Sequence, residues 1–171
     1  MYVGHAALAL FAKSRRQRLS LALLVPVAFA PDWIQWVLYG FGWTRPALSH
    51  ALLTVTAGAV VVAVAYRCLV RSSGATGNAL VLWLLYMSHW AADFLTGTTK
   101  ATWPGGPHVG LGLYGHPFWD FLIEMIVVVA CWLAYQRSLT ADERKRTAGW
   151  MIPAGLAGMQ IGFLALARAG G

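Results

Sequence analysis

Charge is what this chain has least of. Asp, Glu, Lys and Arg make up only 11% of its 171 residues, against 58% hydrophobic ones. Mean hydropathy is +0.59, which argues against an ordinary soluble fold and for a membrane protein. Acids are the scarcer sign: 6 Asp and Glu stand against 13 Lys and Arg, a net charge of +7. That excess does not point to nucleic acid, because the basic residues gather in short loops between apolar runs, the pattern of cytoplasmic loops. Cysteine is nearly absent too. Cys68 and Cys131 form no CxxC pair and read as small apolar packers, with no disulfide framework. A cleaved signal peptide is not expected, since the basic run Lys13-Ser14-Arg15-Arg16-Gln17-Arg18 follows the first apolar stretch instead of preceding it.

What is present is a succession of apolar segments. Thr147 to Ala167 carries no charge, and Pro46 to Tyr66 none besides His50. Each is long enough to cross a hydrocarbon core of roughly 30 Å. The expected architecture is an all-α polytopic membrane bundle, a single integral membrane domain over 1–171. It comprises a short amino-terminal helix (Met1 to Ala12) and about five apolar helices, near 19–39, 48–69, 78–95, 117–135 and 148–167. Twelve residues cannot span, so the first helix must dip in part-way or pack inside the bundle. Pro26 and Pro31 predict a kink or break near Asp32. Gly97 to Gly115 is the longest loop, and Gly158 with Gly162 forms a weak small-xxx-small packing signal.

Lys and Arg number four in loop 13–18, two in 67–77 and four in 136–148, but one each in 40–50 and 97–116. This alternation places the first three loops in the cytoplasm. His5, Asp32, His50, His89, Asp93, His108, His116, Asp120 and Glu124 then fall toward the outer half of the membrane. His89 and Asp93 are four apart, a spacing that puts both on one helix face. A carboxylate at a helix centre costs about 2.5–3.5 kcal/mol on insertion scales, so a group of them demands partners. Each residue also fits a plainer role: Asp32 and His116 as helix caps, His50 at an interface, Asp93 bonded to His89. Asp120 suits a first helical turn, His108 a solvated loop, Glu124 an interhelical bond and His5 the core. Their common depth points instead to a divalent cation. Imidazole with carboxylate suits zinc, with manganese or iron as alternatives.

Several motifs occur in one order: Tyr2-Val3-Gly4-His5, Pro31-Asp32, Leu48-Ser49-His50-Ala51-Leu52-Leu53, Ser88-His89-Trp90-Ala91-Ala92-Asp93 and Trp103-Pro104-Gly105-Gly106-Pro107. Over residues 1 to about 124 this set resembles the YdjM-like membrane-bound metal-dependent hydrolases of bacteria. That resemblance implies a protein of the bacterial inner membrane with hydrolase activity. The ligand order is also similar to that of zinc-dependent phospholipase C and the P1-type nucleases, all-α enzymes with three zinc ions. It implies one metal on Asp32, His50, His89 and Asp93, and a second on His5, the amino terminus and a bridging Asp93. His108, His116 and Asp120 would hold a third. The chain departs from these patterns where Asp120 replaces a usual glutamate, leaving Glu124 as rival, and where Ile34 replaces a second aspartate. Arg45 matches the family's basic residue only loosely.

The expected function is a membrane-embedded metal-dependent hydrolase, with one to three ions. The metal would lower the pKa of a bound water for attack on a phosphoester or other ester, with a lipidic substrate consistent with the location. Asp32 or Glu124 would be the general base and the Trp103–Gly115 loop a lid. Two rivals remain open: a metal-ion or proton transporter or channel, and a non-catalytic adaptor with a structural metal. Substrate and oligomeric state are not legible.

Overall fold

A computed structural model describes residues 3–43, 47–146 and 151–169. Among them the α-helices run α1 Gly4–Arg15, α2 Leu21–Ala28, α3 Ala30–Gly40, α4 Ala47–His50, α5 Leu52–Leu69, α6 Ala75–Thr96, α7 Pro117–Ser138, α8 Ala141–Arg146 and α9 Met151–Ala169. The all-α expectation holds. Among the described residues α5, α6 and α7 are long and apolar enough to cross a bilayer, and α2 with α3 makes a fourth only as a broken unit bent by 59°, so about five spans are not shown. The fifth expected segment begins at 148, outside the described residues, and continues as α9.

The short helix α1 solves its length problem by packing inside. It touches α2, α6 and α7, and Ala7 and Ala9 are fully buried. Small side chains let the surrounding helices close on its backbone. Burial of its start exposes a difficulty, since the first N–H groups of a helix have no intrahelical acceptor. Glu124 of α7 supplies one: its Oε2 accepts from the backbone N–H of Val3 at 3.2 Å and of Gly4 at 3.3 Å. A carboxylate is the right charge for the positive end of a helix.

α5 packs along α6, and Gly58 allows it, because a Cβ there would run into the Tyr86 ring. On the opposite faces Val60, Val61, Val64, Leu80, Leu84 and Ile126 are exposed. Such surfaces suit hydrocarbon better than water.

Two interruptions shape the site. Between α2 and α3 the ladder breaks at Phe29, with Pro31 in the first turn of α3. A proline has no N–H to donate and suits a helix start, so the break comes just before Asp32, near where the prolines place it. The second interruption is a correction. The segment read as one helix from Leu48 is split, because Ala51 is extended (φ −68°, ψ 145°) between α4 and α5. His50 therefore ends a four-residue helix instead of opening a long one.

The long loop is also more ordered than its glycines suggest. Lys100–Ala101 (β1) and His108–Val109 (β2) pair antiparallel, and a 3-10 turn follows at Leu113–Gly115. The hairpin is tied down at two points: Leu53 N–H donates to Thr102 O at 3.0 Å, and Leu111 N–H to Phe94 O at 2.9 Å. Gly110 lies at φ +136°, and a Cβ there would meet Phe94 O at 3.2 Å, so the hairpin's close seat on α6 needs glycine.

Candidate metal centre

Four elements bring their polar residues to one point. α1 supplies His5, the start of α3 supplies Asp32, the end of α4 supplies His50, and α6 supplies His89 and Asp93. All except Asp32 are buried. Asp32, with its side chain 40% exposed, is the member through which the cluster opens outward.

Their ligand atoms converge. His50 Nε2 is 3.1 Å from Asp32 Oδ1 and 4.0 Å from Asp93 Oδ2. His89 Nε2 is 3.7 Å from both Asp32 Oδ1 and Asp93 Oδ2. A tetrahedral ion with bonds of about 2.0–2.2 Å keeps its ligands roughly 3.3–3.6 Å apart, so these four edges bracket the size required. His5 Nε2 stands 3.6 Å from Asp93 Oδ1. The His5 ring stacks on His89 with centroids 3.9 Å apart.

The outer hydrogen bonds decide which nitrogens face inward. His89 Nδ1 donates to the Ala28 carbonyl at 2.9 Å, where the end of α2 leaves an acceptor without a helical donor. Its proton is thereby placed on Nδ1, and Nε2 carries a lone pair. That Nε2 is buried and makes no hydrogen bond. Ser49 Oγ donates to Gln35 Oε1 at 2.6 Å and lies 2.7 Å from His50 Nδ1. With its proton on Gln35, the serine oxygen can accept from His50 Nδ1–H, the tautomer that leaves Nε2 a lone pair for an ion; in the other tautomer Nε2–H donates to Asp32 Oδ1 at 3.1 Å. The His89 lone pair faces the carboxylates of Asp32 and Asp93 at 3.7 Å, a repulsion that a cation among them relieves. Imidazoles oriented from behind by carbonyl or hydroxyl are the usual outer arrangement of a metal site.

The donor set thus could hold a metal ion. Two overlapping groups have ligand atoms within 4.8 Å: Asp32, His50 and His89, and His5, His89 and Asp93. They share His89, whose single inward lone pair serves one ion.

The remaining expected ligands lie elsewhere. His108 is exposed on β2 and His116 is exposed just before α7; neither belongs to a group of this kind. Asp120 is buried, and its Oδ2 accepts from Gln160 Nε2 of α9 at 3.3 Å. Glu124, the rival ligand and base, is engaged at the start of α1. The amino terminus and Arg45 lie outside the described residues.

Three participants were not singled out from sequence. Gln35 lies one turn beyond Asp32 on an otherwise apolar helix, a readable signal. The Ala28 carbonyl leaves no trace in a side-chain pattern. Lys100 stands in the sequence only as the one basic residue of 97–116; the hairpin folds it back so that Nζ is 3.1 Å from Asp93 Oδ2. Comparisons with protein-family models, with curated proteins and with solved structures each find no match for the chain.

Proposed function

We propose that this protein is a metal-dependent hydrolase of the bacterial inner membrane that cleaves a phosphoester or related ester, with its site toward the non-cytoplasmic side. The observation that carries this reading is the convergence of Asp32, His50, His89 and Asp93 at ligand spacing, with the inward lone pair of His89 fixed from behind. Zinc is the ion this donor set suits best. Asp32, His50, His89 and Asp93 would hold a divalent ion, which would supply a water of lowered pKa and polarise an ester oxygen. Asp32, Oδ1 facing the cage and the side chain half-exposed, is placed to take the proton of the attacking water. The water oxygen bonds to the ester's phosphorus or carbonyl carbon, the ester bond to the alcohol breaks, and the alcohol leaves with a proton from solvent. His50 and His89 would hold the ion and orient it toward the substrate.

Exposed aromatics flank the site: Trp33 and Trp36 on α3, Trp103 in the hairpin, Phe118 and Trp119 at the start of α7. Aromatics of this kind collect at membrane interfaces. They support an entry at the headgroup level and a substrate drawn from the lipid phase. Below the cluster, Leu24, Val55, Ala59, Leu82 and Leu85 fill the core. Such packing favours an enclosed site over a transport pathway, which would continue in polar residues.

The direct test is turnover of a generic phosphodiester, phosphomonoester and carboxylic ester by detergent-purified protein, beside His89→Ala. Metal-dependent turnover lost in the variant is expected. Metal bound with no turnover, and no ion flux in liposomes, would favour the adaptor.

A further inference from the structure

The hairpin does more than cover the cluster. Lys100 on β1 brings an ammonium to 3.1 Å from Asp93 Oδ2, an oxygen that also lies 3.7 Å from His89 Nε2 and 4.0 Å from His50 Nε2. Lysine side chains are ordinarily free to wander, but this one is 16% exposed and its hairpin is tied down at Thr102 and Leu111. Its placement is therefore built into the fold.

Charge then discriminates between ligands. Asp32 and Asp93 bring two negative charges and Lys100 one positive, while imidazoles that bind a metal are neutral. Of these side chains the carboxylates outweigh Lys100 by one negative charge, and a divalent cation would carry their sum one positive charge past balance. Placed where the surroundings are largely buried, that excess is costly until an anion answers it. Lys100 and any ion in the cage also share Asp93, so each weakens the other's hold on that carboxylate.

Resting on the metal-site reading above, we propose that Lys100 is an anion-binding residue of the site. The loaded centre recognises an oxyanion, with one oxygen toward the cage and another accepting from the Lys100 ammonium. A neutral carboxylic ester lacks that second oxygen charge and is the poorer ligand. Lys100 thus sets the substrate class as anionic and holds the anionic group beside the bond to be cut.

The test is titration of inorganic phosphate into full-length, zinc-loaded protein in detergent, followed by calorimetry, for wild type, Lys100→Met, Lys100→Gln and Lys100→Arg. Zinc content is measured on the same samples. Lys100→Gln keeps a donor for Asp93 without the charge, which guards against a variant that fails only by loosening the hairpin. The wild type should bind phosphate, Lys100→Met and Lys100→Gln should bind it at least about tenfold more weakly at unchanged zinc content, and Lys100→Arg should stay near wild type. Equal phosphate affinity in Lys100→Gln, or no phosphate binding by zinc-loaded wild type, overturns the assignment and leaves the metal site standing. A wild type that holds no zinc removes the metal reading itself.

Discussion

The Nδ1–H of His89 donates to the backbone carbonyl of Ala28 at 2.9 Å, joining the second half of α6 to the broken end of α2. That bond exists because the helix stops there. Were α2 and α3 continuous, the Ala28 carbonyl would accept from the N–H four residues on, which belongs to Asp32. One break thus frees an acceptor for His89 and places Asp32 opposite it, with Oδ1 3.7 Å from His89 Nε2.

Pro31→Ala restores a donor at the break and should let α2 and α3 straighten toward one helix. Metal affinity is expected to fall about tenfold or more, the usual cost of losing an outer partner of a ligating histidine. Competition with a chromogenic chelator measures it, and circular dichroism should show helix retained.

Ser49 relays between His50 and Gln35. Ser49→Ala leaves His50 Nδ1–H without its acceptor and frees the ring to turn. A loss of about 10–100-fold in metal affinity is expected, with Ser49→Thr close to wild type because the hydroxyl is kept. The same chelator titration separates the two.

Much of this centre was legible before any coordinates. His89 and Asp93 share a helix face by spacing alone, and Asp32 and His50 stand out because hydrocarbon tolerates such residues only with partners. The proline pair located the break to within a few residues. Lys100 and Glu124 were harder, because their partners are set by tertiary contact. Nothing local says that a glycine-rich loop will fold into a hairpin that returns its lysine to Asp93, or that a buried helix start will take Glu124. His108, His116 and Asp120 were drawn in by their order along the chain and by shared depth. Depth says how far a residue lies from the interface, not which way it turns, and only the second brings ligands together.

Glu124 is expected to matter for stability. Glu124→Ala strips two backbone donors at the start of α1 of a buried charged acceptor, and a loss of about 2–3 kcal/mol is expected. Glu124→Gln keeps an acceptor and should lose less. Both variants, where folded, should retain metal. Unfolding by titration with SDS in mixed micelles gives the energies, and a Glu124→Gln protein that is fully stable yet hydrolytically dead would restore Glu124 as the base.

His108→Ala and His116→Ala should leave metal content unchanged, singly and together, since both side chains are exposed and outside the two ligand groups. Parallel loss of metal in either variant would revive the third ion.

The central claim is that buried imidazoles and carboxylates are held together by one shared cation. Elemental analysis of detergent-purified wild type beside Asp93→Asn tests it most directly. About one equivalent of zinc or a similar divalent metal per chain is expected in the wild type, as one tetrahedral donor set requires, and a clear loss in the variant. Metal-free wild type, or equal metal in Asp93→Asn, would contradict it.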